Sequence, residues 1–142
     1  MTQQVDTYAP QDINLVVGGK IITGFSDDMI MVSYEVNQVE DEAGADGEVA
    51  RRIVHDTRAT ITVSLQQTSS SNLVLSLLAN ADRLSGDGVV PFVLKNNRGD
   101  DLVVGGSAWV QKQADMGFKN AFEPRVWLIR SAYTQMVNAG AS

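Results

Sequence analysis

The residues able to do covalent or metal chemistry are few and poorly spaced for it. The chain has one histidine, His55, and no cysteine, which excludes thiolate nucleophiles, zinc–thiolate sites, disulfides and multi-histidine metal motifs. His55 beside Asp56, with serines elsewhere, has the residue types of a hydrolase triad, yet no serine sits in a Gly-x-Ser-x-Gly elbow. An exposed or edge-strand position accounts better for His55. The run Gly44-Ala45-Asp46-Gly47-Glu48 offers oxygen ligands at short spacing, as calcium requires, but lacks the fixed spacing of an EF-hand loop. Gly18-Gly19 and Gly105-Gly106 are not followed by Lys-Ser or Lys-Thr and read as turns or bulges, not phosphate cradles. Trp109 and Trp127 read either as a stacking platform for a sugar or base, or as core and subunit-interface residues. No catalytic, cofactor or metal site is expected.

Charge is more informative. The 142 residues carry 17 acids and 11 bases, a net charge of -6. Five of the acids, Glu40, Asp41, Glu42, Asp46 and Glu48, fall in one ten-residue stretch that contains no base, so the rest of the chain is nearly neutral. The stretch from 38 to 48 therefore reads as an extended acidic loop that cannot join a core, between strands expected at 30–37 and 49–56. Arg51 and Arg52 follow it, either as a solvated strand start or as ion-pair donors to carboxylates of a neighbouring copy. With no basic cluster, stable nucleic-acid binding is not expected, because that affinity comes from Lys and Arg displacing counterions. No apolar run approaches the ~20 residues of a membrane span. Residues 1–6 lack the pattern of a secretory signal, so a cytoplasmic site of synthesis is expected.

The elements that would position these residues are mostly strands. Ala59, Ile61, Val63 and Leu65 alternate with Thr60, Thr62, Ser64 and Gln66, predicting a strand with one wet face. Residues 30–37 alternate likewise. Short apolar runs on either side of Gly18-Gly19 predict a tight hairpin. Residues 89–95 and 101–104 flank a turn-rich stretch at 96–100, and further strands are expected at 108–111 and 125–130. One segment breaks the period: from 72 to 83, Leu73, Val74, Leu77, Leu78 and Ala81 recur at helical spacing. Hydroxyls at 68–71 are placed to cap this helix, and Ser85-Gly86-Asp87-Gly88 to end it. Its stripe is expected to pack on the barrel, so that Leu77→Asp would prevent folding. Residues 137–142 read as a loose tail. One domain over 1–142 is expected, a mainly β antiparallel barrel or sandwich with one flanking α-helix, whose apolar edges favour pairing between subunits.

The order of these elements resembles the tail tube proteins of contractile-tailed bacteriophages. The resemblance is carried by Tyr8-Ala9-Pro10-Gln11-Asp12-Ile13-Asn14-Leu15-Val16-Val17-Gly18-Gly19, Ile22-Thr23-Gly24-Phe25, Ala45-Asp46-Gly47-Glu48-Val49-Ala50-Arg51, Gln67-Thr68-Ser69-Ser70-Ser71-Asn72 and Val126-Trp127-Leu128-Ile129-Arg130. It implies a fold similar to type VI secretion tube subunits, and a non-enzymatic virion protein assembled in the host cytoplasm. It further implies hexameric rings stacked into a tube that conducts the genome, with sheath, baseplate and tail terminator proteins as partners and no membrane anchor. The acidic segment with Arg51 and Arg52 would then form an extended hairpin touching an adjacent subunit or ring. A tail terminator, baseplate or tail-completion ring of similar fold is the alternative, and a soluble ligand-binding β module a more distant one.

Overall fold

The computed structural model describes residues 13–96, 101–119, 121 and 123–139. The resemblance-bearing segment before Ile13, the expected turn at 97–100 and the tail beyond 139 lie outside them. Ten strands and one helix follow in the order β1 (Ile13–Val17), β2 (Lys20–Ile22), β3 (Phe25–Tyr34), β4 (Val39–Ala43), β5 (Val49–Ile53), β6 (Ala59–Leu65), α1 (Ser71–Ser85), β7 (Val90–Asn96), β8 (Leu102–Lys112), β9 (Arg125–Ser131) and β10 (Thr134–Val137).

Eight strands form one antiparallel sheet in the order β2-β1-β7-β8-β9-β6-β3, with β10 also paired to β8. The hairpin between β1 and β2 turns on Gly18 and Gly19, whose φ values of 58° and 79° both lie in the left-handed region that glycine tolerates. The sheet curls into a half-barrel because every strand turns its apolar period inward. Leu15 and Val17 of β1, Ile61, Val63 and Leu65 of β6, Phe92 of β7 and Trp127 and Ile129 of β9 share one buried cluster. Tyr34 ties the end strand β3 to β10: its hydroxyl donates to the Thr134 carbonyl at 3.3 Å and accepts from the Met136 N–H at 3.1 Å.

The residues expected as two strands at 101–104 and 108–111 are one long strand, β8. It is crossed at Gly105, where a Cβ would strike the Phe92 ring and the Ser131 hydroxyl. The unforeseen β10 keeps the β8 register set by β9 (Ala108↔Ser131, Thr134↔Gly105), so Val137 closes a strand instead of opening a loose tail.

The helix is longer than expected and faces differently. Its buried anchor is Leu75, with Val74 and Leu78 packed against the core and Ala81 half-buried. Leu73 and Leu77, expected in the packed stripe, are exposed. At 100° per residue they lie about 160° from Leu75, on the opposite face. Ser70 gives no side-chain cap; Ser69 Oγ instead accepts from the Ser71 N–H at 3.2 Å and donates to the Thr23 carbonyl at 2.6 Å. Ser71 Oγ accepts from the Thr23 N–H at 2.9 Å, so the first turn is stitched to the β2–β3 junction. Gly86, at φ 75°, ends the helix by donating its N–H to the Asp82 carbonyl. Trp127 is buried, and its indole N–H donates to Asn72 Oδ1 at 2.9 Å, which ties β9 to α1.

Candidate assembly interface

The acidic segment is the first strand and tip of a hairpin, as the resemblance implies, and not an irregular loop throughout. β4 and β5 pair as a separate two-stranded hairpin, an arm whose ten strand residues are all exposed. It is the distal end of the β3–β6 hairpin. That ladder runs on to the Glu35 N–H and the Arg58 carbonyl at 2.9 Å, then resumes at Val39↔Ile53. Four residue steps on the first strand face five on the second across this joint, so the second strand bulges and the arm is re-aimed there.

At this elbow the Asp56 carboxylate accepts from Arg58 Nε at 2.9 and 3.0 Å, from Arg58 Nη2 at 2.7 Å and from the Arg58 backbone N–H at 3.1 Å. These hydrogen bonds from Arg58 hold the Asp56 carboxyl below the usual carboxylate range and raise the guanidinium in turn. Asp56 is thus engaged by Arg58 and not by the exposed His55 next to it.

The arm brings all seven expected assembly residues together. Register places Glu40 opposite Arg52 and Glu42 opposite Ala50 on one face, and Asp41 opposite Arg51 on the other. Arg52 Nη2 donates to Glu40 Oε2 at 2.7 Å, so this arginine is paired within its own arm, in a solvent-facing bridge of little energetic weight. Asp46 Oδ1 accepts from the Glu48 N–H at 3.2 Å and shapes the tip. Among the described residues no group of three or more His, Asp or Glu is arranged to hold a metal ion.

The expectation from charge missed the apolar half of the arm. Val39, Ala43, Val49 and Ile53 share the face of Asp41 and Arg51, and Val39, Val49 and Ile53 are exposed. The signal was present as the alternation Val39-x-Asp41-x-Ala43, which the density of acids obscured. Leu73, Leu77 and Leu84 on α1 are likewise exposed, at 64%, 60% and 86%. Isolated exposed apolar residues are ordinary; contiguous sets on two elements mark interaction surfaces.

A cleft of about 340 Å³ opens along the seam of the half-barrel, lined chiefly by Ile13, Ile30, Val32, Leu94, Leu102 and Met136. Asp101 is its one ionisable lining residue among those described, so it presents no nucleophile–base pair. Trp127 is a core residue, whereas Trp109 is half-buried and lies beside Arg130 across the β8–β9 ladder. Among the described residues no helix is long and apolar enough to cross a membrane.

Comparison with known proteins agrees with a molecule whose surfaces outnumber its reactive groups. The chain is 33% identical over 149 residues to "Structural protein ORF10" of Pseudomonas phage KPP10, covering 99% of this chain and 86% of that protein. In fold it is similar to a chain from the virion of a native gene transfer agent particle, with TM-score 0.60 and 13% identity over 93% of this chain and all of that one. It is similar also to a chain of the anti-feeding prophage tube-terminating cap, with TM-score 0.61 and 10% identity over 98% of this chain and 95% of that one. The family described as "Bacteriophage PhiTE tail tube protein" matches residues 11–137, which include every strand of the curled sheet, the arm and the helix. The chain therefore belongs to the bacteriophage PhiTE tail tube protein family and is a structural protein of a virion tail tube.

Proposed function

We propose that this subunit forms hexameric rings that stack into the inner tube of a contractile tail, with the arm reaching an adjacent subunit or ring. The observation that carries this reading is the arm itself: ten exposed strand residues that form a two-stranded sheet of their own, outside the main sheet and the core. A two-stranded ribbon is marginal in water when alone, so a partner is needed to fix it. The tube conducts the genome during injection, its subunits act by assembly and not by catalysis, and its partners are sheath, baseplate and tail terminator proteins. Assembly takes place in the host cytoplasm.

Charge fits a conduit. Six copies at -6 give a ring of roughly -36 formal charges, which repels a polyanion wherever it faces the bore. Basic contacts repeated along a tube would trap DNA through avidity. On β6 the half-buried Thr60 and Thr62, opposite the core residues Ile61 and Val63, offer a neutral polar lining, whereas Ser64, expected on the same wet face, is buried. Negative-stain microscopy of the purified protein, beside a variant lacking residues 41–46, tests the proposal. Tubes from the intact chain and folded, unpolymerised subunits from the deletion are expected. Tubes of normal length from the deletion variant would remove the arm from assembly, and a single closed ring from the intact chain would favour a terminator role.

A further inference from the structure

The helix has two apolar faces. Leu75 and its neighbours fill the core, while Leu73, Leu77 and Leu84 line the opposite side. From Leu73 to Leu84 this outer stripe runs ~16 Å along the axis, and no charged residue interrupts it on that face. Arg83 lies about 100° from Leu84 and Asp82 points toward the sheet side. Asn80, exposed between Leu77 and Leu84 and within about 20° of Leu73 in azimuth, accepts from Gln113 Nε2 at 3.0 Å through its Oδ1. The helix thus presents three leucines to solvent with one amide between the last two.

The arm offers a surface of matching extent. Its apolar face has three rungs, Val39 with Ile53, Asp41 with Arg51, and Ala43 with Val49, spanning ~14 Å along the strands. The middle rung places opposite charges directly across from each other, and the outer rungs are apolar. Val49 is 68%, Ile53 56% and Val39 38% exposed, so their own subunit covers them only in part and the rung nearest the tip is the most open.

We infer that the apolar face of the arm lies along the Leu73–Leu77–Leu84 stripe of α1 on a neighbouring copy of this chain. Each subunit has one arm and one stripe, so the contact is heterologous and repeats from copy to copy, as a polymer requires. It leaves the acidic face, Glu40 and Glu42 with Arg52, in water, and covers both orphan apolar surfaces at once. This inference rests on the reading that the arm reaches a neighbour, and adds the site that receives it.

The absence of cysteine makes a clean test. Subunits carrying Arg51→Cys and subunits carrying Leu77→Cys are co-assembled with an excess of unaltered subunits, so that polymerisation does not depend on either variant. The tubes are treated with a short bis-maleimide. A covalent dimer joining position 51 of one chain to position 77 of another, mapped by peptide mass spectrometry and absent from unassembled subunits, is expected. Its absence from tubes that form normally overturns the inference. A Leu73→Lys, Leu77→Lys double variant is expected to melt as a folded subunit and to lose polymerisation at least tenfold; tubes of normal yield from it likewise overturn the inference. Deleting residues 41–46 separates the two levels. Loss of tubes on deletion with no crosslink retains the arm and rejects α1 as its seat, whereas tubes that survive deletion reject the arm reading itself.

Discussion

Leu75 and Leu77 sit two residues apart with opposite consequences. Leu75 is fully buried, so Leu75→Ala removes apolar contacts and leaves a cavity, with an expected loss of about 2–5 kcal/mol in chemical denaturation. Leu77 faces solvent in the subunit, so Leu77→Asp is expected to cost about 1 kcal/mol or less and to leave a cooperative melt. The reverse order of these two effects would show that the helix is rotated. Asn72 serves three neighbours: its Oδ1 accepts from Trp127, and its Nδ2 donates to the carbonyls of Gln66 and Ser69. Asn72→Ala strands the buried indole N–H and is expected to lose roughly 1–3 kcal/mol, read from the same denaturation curves. The Asp56–Arg58 clasp gives a signed pH effect. Because the folded carboxyl titrates below its ordinary value, its stabilisation is present above the unfolded carboxylate pKa and is lost as pH falls through the depressed folded value. A carbon-detected NMR titration of Asp56 should show a midpoint below 3.8, returning toward it in Arg58→Ala; equal midpoints in the two proteins would dissolve the clasp.

Among the elements, period-two patterns placed β6 and β9 to within a residue or so, because each buries one face against the core and that fixes which residues alternate. The helix was visible as a helix, but its buried face was not. With leucines on both sides, helical spacing alone selects no core face, and Leu75 is distinguished only by the sheet it meets. The arm was legible as a charged excursion followed by a strand from Val49, yet the strand Val39–Ala43 was hidden because five acids in ten residues resemble a solvated loop. β10 was missed because four residues after a short break, Thr134–Val137, carry little pattern of their own and owe their pairing to β8. The continuity of β8 depends on Gly105, where any side chain would meet Phe92 and Ser131. Gly105→Ala is therefore expected to destabilise the β7–β8–β9 region by about 1–3 kcal/mol through overpacking, with a lowered thermal midpoint. An unchanged midpoint would mean that Phe92 has room to move.

For the whole molecule, a half-barrel whose arm and helix both show apolar surface to water is incomplete as a monomer. Family membership makes it a tail tube protein; in the assembly proposed above these exposed surfaces join it to its neighbours. If the bore is neutral or negative, assembled tubes should show no measurable affinity for duplex DNA near physiological salt, and submicromolar binding with a steep salt slope would reveal a basic surface facing the bore. In the proposed assembly the arm completes itself on another copy, a contact that helical reconstruction of assembled tubes by electron cryomicroscopy would resolve. The expected map has six-fold rings, with density for Val39–Ala43 and Val49–Ile53 seated against a neighbouring subunit. A single closed ring, or a stacked tube whose arms stand free in solvent, would contradict it.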